Sequence, residues 1–379
     1  MTLHSAILFI ALSLQILCDA RAFFVDCSHQ YSYCLNSGSN TNEDFHADVD
    51  EVHHSRRSLF RKTLSLVSLT PIISSGANAE NIMSTLQPSI TTPNLNCLTD
   101  LPPITPDHVR VFLCRHGQTE FNRLNKVQGS RIDPPLNDTG RRMATRLGKA
   151  LGAVNVENDP FQPNIVFHSQ LQRARETANI ASRTLERSQT RGKSFFETED
   201  EDILKSFEEE QTSSERLKLL TTLGEVDFGS VNEGKSSIET KADRYAIYAA
   251  WGIGQIDRAP AGGGETGRSI MTRAGETLNM FAEYGSASKE PLVAVSHSTY
   301  LRMVLALAME IPLSQGATLS QSNCCVNVLD ISMKRKKTIT ASSNIFGGPI
   351  SLAPKDYTIT IPEVKVIRVN EDSHLNGLL

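Results

Sequence analysis

His108-Val109-Arg110-Val111-Phe112-Leu113-Cys114 runs straight into Arg115-His116-Gly117-Gln118-Thr119-Glu120-Phe121-Asn122. The first run is short, β-branched and apolar, which predicts a buried strand. The second places reactive groups at the strand's C-terminal end, where open α/β sheets gather their sites. Gly117 allows a sharp turn beside a ligand. Arg115 offers a planar fork of donors suited to phosphate oxygens. His116 is a nucleophile in its neutral form near neutral pH. Arg-His-Gly alone carries little weight, because a capped strand end looks the same.

The pattern recurs along the chain. Pro163-Asn164-Ile165-Val166-Phe167-His168-Ser169 predicts a second strand, and Leu171-Gln172-Arg173-Ala174-Arg175-Glu176-Thr177-Ala178 opens a helix behind it. A helix N-terminus carrying an arginine is a ready anion site. Pro291-Leu292-Val293-Ala294-Val295-Ser296 predicts a third strand, ending at His297-Ser298-Thr299, with an apolar helix from Tyr300 to Met309. Three strand-to-helix turns thus each present a cation or an imidazole.

Taken together, these blocks resemble the histidine phosphatase superfamily, whose fold is named for phosphoglycerate mutase. Residues 115–122 match its Arg-His-Gly-x-Thr-x-x-Asn block, and residues 169–178 match Ser-x-Leu-x-Arg-Ala-x-x-Thr-Ala. Leu223-Gly224-Glu225-Val226-Asp227-Phe228-Gly229 matches its acid block, Gly263-Gly264-Glu265-Thr266 a further block, and Ser296-His297 the late one. Asn370-Glu371-Asp372-Ser373-His374-Leu375 looks like its closing strand. The resemblance covers about residues 107–379. It implies a three-layer α/β/α sandwich, with a mixed, mostly parallel sheet covered by helices on both faces.

The roles that the resemblance implies follow phosphoryl-transfer chemistry, where positioning and charge compensation dominate. His116 would attack in line and become phosphohistidine. Arg115, Arg173 and His297 would hold the equatorial oxygens, and Asn122 would add a neutral donor. Glu225 would protonate the leaving oxygen and then activate water. Guanidinium and imidazolium groups would supply the positive charge, so neither metal nor cofactor is expected, and no carboxylate cluster suggests magnesium. Gln128 reads either as a substrate contact or as an exposed loop amide. Glu265 competes with Glu225 as the acid, or orients His116. Asp227 and Glu233 read as structural, and Arg175 and Glu176 as helix-surface charges. The acidic run from Glu197 to Glu210 reads as a solvated insertion that could screen the pocket. A helical excursion near Ser236 to Trp251 reads as pocket rim.

Phosphoglycerate mutases of this family carry Glu-Arg-x-Tyr-Gly and His-Gly-Asn, where this chain has Glu225-Val226-Asp227-Phe228-Gly229 and His297-Ser298-Thr299. Both departures favour hydrolysis of phosphate monoesters. The alternatives are mutase-type phosphoryl transfer and a non-catalytic phosphate-binding module. The expected partner is a small phosphorylated substrate. The net charge of −4 and the absence of a basic stripe argue against nucleic acid. The seven cysteines form no spaced metal framework. Oligomeric state is not legible.

The first eighty residues read as an address. Ala6 to Leu17 is an apolar run too short for a bilayer core of about 30 Å, followed by Ala20-Arg21-Ala22. This predicts a signal peptide over residues 1–22, with a signal anchor as the alternative. Ser55-Arg56-Arg57-Ser58 and Ala77-Asn78-Ala79 resemble a twin-arginine export signal over 55–79. Residues 23–54 between them read as a transit-like segment, and 80–106 as a linker. The series resembles leaders of algae with complex plastids. It predicts delivery to the thylakoid lumen, a mature N-terminus near Glu80 and no stable membrane insertion after processing. Plastid stroma and secretion are the alternatives.

Overall fold

Alternation along the first strand divides the molecule into two cores. The computed structural model describes residues 92–378 apart from 157–158, 161–162, 164, 211, 341–342 and 347–355. The signal, transit and twin-arginine segments, and residues 80–91 of the linker, lie outside the described residues. In chain order the elements are β1 (His108–Arg115), α1 (Glu120–Arg123), α2 (Asp138–Gly152), β2 (Asn155–Val156), β3 (Asp159–Pro160), β4 (Val166–His168) and α3 (Gln172–Arg191). Then come α4 (Asp200–Glu210), β5 (Leu217–Leu219), α5 (Lys241–Gly252), α6 (Gly267–Ser288), β6 (Leu292–Ser296), α7 (Ser298–Met309), α8 (Leu313–Gly316), β7 (Val326–Thr340) and β8 (Thr358–Glu371).

Val109, Val111 and Leu113 share one core with Ile270, Met271 and Leu278 of α6 and Leu301 and Val304 of α7. Phe112 and Cys114 share the other with Met143 and Leu147 of α2 and Ala174 and Ala178 of α3. A strand buried on both faces is apolar at nearly every position, which is why β1 reads as a near-continuous run; its interior exception, Arg110, is buried in an ion pair with Asp330 at 2.8 Å. The helices form by ordinary rules. The Asn137 side chain caps α2 by accepting the Gly140 N–H at 2.8 Å, and Met143, Leu147, Ala150 and Leu151 fall on its buried face.

The sheet order is β5-β4-β6-β1-β7-β8. Strands β5, β4, β6 and β1 pair in parallel, whereas β1/β7 and β7/β8 are antiparallel. This is the expected three-layer sandwich with a mixed, largely parallel sheet. Its antiparallel half was not legible beforehand. Lys334, Arg335 and Lys336 within β7 are exposed, and register shifts break the β7/β8 pairing. The expected closing strand over 370–375 is only partly strand: β8 ends at Glu371 and Ser373–Leu375 is a 3₁₀ turn.

A second difference concerns the linker. Cys97 and Leu98 are buried in the second core. The Asn94 N–H donates to the Ser373 carbonyl at 3.0 Å, and Arg368 Nη2 pairs with Asp100 at 3.0 Å. The folded region therefore starts before residue 107, because two apolar side chains in a polar stretch find a core that composition alone does not reveal. Among the described residues no helix is long and apolar enough to cross a membrane.

Candidate active site

Strands β4, β6 and β1 are neighbours and parallel, so their carboxyl ends open on one side. Arg115 pairs with Ser296, and His168 with Val295. The residues next along each strand are therefore brought together: His116, His297 and Ser169. The two imidazole rings lie 5.1 Å apart, centroid to centroid. Arg173 joins them as the second residue of α3, fully buried.

His116 is fixed in tautomer and direction. Its Nδ1 lies 2.7 Å from the Gly117 carbonyl, which can only accept, so the ring proton sits on Nδ1 and Nε2 keeps its lone pair. Its own N–H donates to the Ser296 carbonyl at 2.9 Å. Burial, then Arg173 and Arg115, hold its pKa well below the ordinary histidine value. Gly117 matters through close approach: a Cβ there would meet the Gly140 carbonyl oxygen at 2.5 Å. Its N–H is held by Thr177 Oγ1 at 2.9 Å.

Around His116 stand donors with nothing to donate to. Arg115 Nη1 is tied to the Gln321 carbonyl at 2.6 Å, but its Nε is buried without a partner. Burial pulls the Arg115 pKa down to about 10, which leaves it cationic at neutral pH. Arg173 spends its Nη groups on the Gly129 carbonyl at 2.7 Å, the Ile132 carbonyl at 2.9 Å and Asp133 at 3.3 Å, and its Nε is also unpartnered. His297 Nδ1 is the third buried atom of this kind. Burial, with Arg173, His116 and Arg115, pushes the His297 pKa well down, which favours the neutral ring in the unliganded pocket.

Both nearby helix N-termini are already filled by carboxylates. Asp133 accepts the Gln172 N–H at 2.6 Å at the start of α3. At the start of α7, Glu225 Oε1 accepts Tyr300 N–H at 3.0 Å and Val226 N–H at 2.9 Å, and Oε2 accepts Thr299 N–H at 3.3 Å. Side chains, not helix amides, are left to meet an anion. Glu265 does not touch His116. It pairs with Arg273 through both oxygens, at 3.1 and 2.8 Å, and Arg273 in turn holds the Gly224 carbonyl at 2.6 Å beside Glu225. That engagement removes Glu265 as a rival acid.

The remaining sequence candidates fall in place unevenly. Asn122 Oδ1 accepts from Thr119 N at 3.1 Å and Asn323 Nδ2 at 3.2 Å, while its Nδ2 makes no hydrogen bond within the described residues. Gln128 is buried, not an exposed amide, and its Oε1 accepts the Thr119 hydroxyl at 3.1 Å. Asp227 pairs with Arg131 at 2.8 Å, and Glu233 accepts Ser130, Arg131 and Phe228 N–H groups, so both are structural. Arg175 is exposed, but Glu176 accepts the Leu136 N–H at 3.1 Å and ties a loop down. The acidic run forms α4, clamped to α2 and α3: Asp200 pairs with Arg146 and Lys149 at 2.8 Å, and Glu210 with Arg183 at 2.6 Å. These contacts, with Ile203 and Phe207 buried in the second core, make the run a packed element and not a freely solvated insertion. Among the described residues no three His, Cys, Asp or Glu side chains group around a metal position.

Sequence reasoning missed Asp133, Thr177, Gln321 and Asn323, whose Nδ2 donates to the His116 carbonyl at 3.1 Å. Thr177 lies within a quoted block, and its neighbour Arg173 is a usable signal. Gln321 and Asn323 act from a loop with no motif.

Comparison with known proteins gives the chain's family. Residues 111–199 and 204–343 match the histidine phosphatase superfamily (branch 1). Fructose-2,6-bisphosphatase TIGAR B of Danio rerio is 43% identical over 68 residues, 18% of this chain and 24% of that protein. A 2,3-bisphosphoglycerate-dependent phosphoglycerate mutase of Bifidobacterium longum is 43% identical over 72 residues, 19% of this chain and 27% of that one. The chain thus spans about a quarter of the length of these curated relatives. A solved mycobacterial glucosyl-3-phosphoglycerate phosphatase is 19% identical, with a TM-score of 0.46, over 70% of this chain and 99% of that one. On the family match, over more than half its length, the chain belongs to the histidine phosphatase superfamily, branch 1.

Proposed function

We propose that the protein hydrolyses small phosphate monoesters without a metal, through a phosphohistidine on His116. One observation carries this reading. Of the eight buried side-chain polar atoms lacking a partner among the described residues, three are Arg115 Nε, Arg173 Nε and His297 Nδ1. Buried donors are normally satisfied, because an unpaired one costs about 1–3 kcal/mol. Three gathered about a nucleophilic nitrogen await an anion with several acceptors.

In the proposed first step His116 Nε2 forms a bond to phosphorus as the P–O ester bond breaks. The Gly117 carbonyl meets the positive charge that develops on the ring through its Nδ1–H. Arg115 and Arg173 compensate the phosphoryl oxygens, and Glu225 gives a proton to the leaving oxygen. Water then attacks phosphorus, loses a proton to Glu225 and restores His116. Within Glu225, Oε1 takes two N–H groups and Oε2 only the longer contact from Thr299, so Oε2 is the oxygen suited to carry the proton.

Hydrolysis is favoured over mutase transfer by the residue after the acid. Val226 is fully buried where the mutase pattern has an arginine, so no cation is offered there to a sugar-acid carboxylate. p-Nitrophenyl phosphate in the presence of a chelator should be turned over, and 3-phosphoglycerate with 2,3-bisphosphoglycerate should not exchange phosphate. Glu225→Gln should lose more on alkyl than on p-nitrophenyl esters, since a leaving group of low pKa needs less protonation. Equal losses on both would remove Glu225 as the acid.

For location we propose the thylakoid lumen of a complex plastid. The support is the order of the two export-like signals, ending at Ala22 and Ala79. N-terminal sequencing of native protein should begin near Glu80, and a start near Phe23 would refute the assignment.

A further inference from the structure

The two ring nitrogens of His297 have unlike surroundings. Nε2 lies 2.6 Å from Ser169 Oγ, whereas Nδ1 is buried and faces no partner among the described residues. Ser169 Oγ also accepts the Leu171 N–H at 3.2 Å, at the turn that launches α3. The Ser169 N–H is anchored on the Val295 carbonyl at 3.3 Å, so the hydroxyl is held from two sides.

A hydroxyl has one proton to give and two lone pairs to accept with. Suppose the proton of His297 sat on Nε2. Ser169 would accept both Nε2–H and Leu171 N–H, its own O–H would point at nothing, and the Nδ1 lone pair would stand buried beside anionic oxygens. With the proton on Nδ1, Ser169 accepts Leu171 N–H and donates to Nε2. Only Nδ1–H is then left over, and a bound anion satisfies it. The second arrangement leaves one orphan where the first leaves two, so it is the favoured tautomer.

We infer that Ser169 is a positioning residue that fixes His297 as its Nδ1–H tautomer and so presents Nδ1–H to a phosphoryl oxygen. His116 is held as the same tautomer by a different device, the Gly117 carbonyl. The consequence is a division of labour between two neutral rings: one shows the pocket a lone pair, the other a proton. The use of Nδ1–H rests on reading the pocket as a phosphoryl site; the tautomer itself does not.

The test is nitrogen-15 NMR of protein labelled in its histidine rings, at neutral pH, with His297 assigned by loss of its signals in His297→Gln. The expected result is a protonated Nδ1 and an unprotonated Nε2 on His297. In Ser169→Ala the fixed tautomer should give way to a mixture. Turnover of p-nitrophenyl phosphate should fall about 10- to 100-fold, the scale for a partner that fixes a histidine tautomer, and inorganic phosphate should bind more weakly. Ser169→Thr keeps the hydroxyl and should restore both the tautomer and most of the turnover. A wild-type His297 protonated on Nε2 overturns the inference, even if the alanine variant does not fold. So does a Ser169→Ala variant with unchanged tautomer and rate. Failure of the wild type to hydrolyse any monoester would instead overturn the hydrolase reading and leave the tautomer result standing.

Discussion

His116→Ala should abolish turnover and, with it, any phosphate label on the protein that is lost in acid and kept in alkali. The effect is expected to be total, because no other ring in the pocket shows a lone pair: His297 Nε2 is engaged by Ser169. Acid-sparing quench and peptide mapping should place the phosphoryl group on Nε2 of His116, since Nδ1 is tied to the Gly117 carbonyl. The pH dependence follows from the same surroundings. The His116 pKa is held below 6.5 by burial and by two arginines, so the ring stays neutral, and nucleophilic, as pH falls through 6.5. The acid limb of kcat/KM, corrected for the substrate's own ionisation, should therefore lie below 6.5. Label on another residue, a His116→Ala variant that turns over, or an acid limb above 6.5 would each refute the mechanism.

Arg173→Lys should cost at least about 100-fold in turnover, the scale of a lost oxyanion donor. Charge is conserved in this variant and geometry is not. The guanidinium reaches Gly129, Ile132 and Asp133 with its Nη groups and still leaves Nε buried and unpartnered. An ammonium is a point donor that cannot hold that loop and face an anion together. The loop is worth holding: Gly129 has φ of +60° and a Cβ there would collide with the Glu233 carboxylate at 2.0 Å. Inorganic phosphate should bind the lysine variant more weakly as well. Wild-type rates would place Arg173 outside the reaction.

How much of this was legible in the sequence depended on where the information sits. β1, β4 and β6 were readable because strands buried on both faces are nearly pure in apolar residues, and each ends on a reactive side chain. β7 and β8 were not, because one flank of that pair faces solvent and tolerates Lys334, Arg335 and Lys336. His116, Arg115, Arg173, Glu225 and His297 were found as residue types in matched blocks. Their hydrogen bonds were not. Nothing in a motif says that Glu225 sits on the first turn of α7, or that Glu265 is spent on Arg273. Cys97 and Leu98 were missed because a short apolar pair in a polar stretch declares no period.

Cys97 connects to the nucleophile. Cys97 Sγ lies 3.8 Å from His374 Nδ1, and His374 Nε2 lies 3.1 Å from the Cys324 carbonyl. The Cys324 N–H donates to the His116 carbonyl at 3.2 Å, from a backbone held at φ 55°. Burial keeps His374 neutral, with its pKa lowered to about 4. In binding terms, residues 94–100 are a ligand tethered to their own receptor, and the receptor's far wall is the loop that carries His116. A short tether gives an effective concentration in roughly the millimolar range, so docking persists however dilute the protein. A cut between Asp100 and His108 would turn the segment into a free peptide, and its docking would then depend on the protein's concentration.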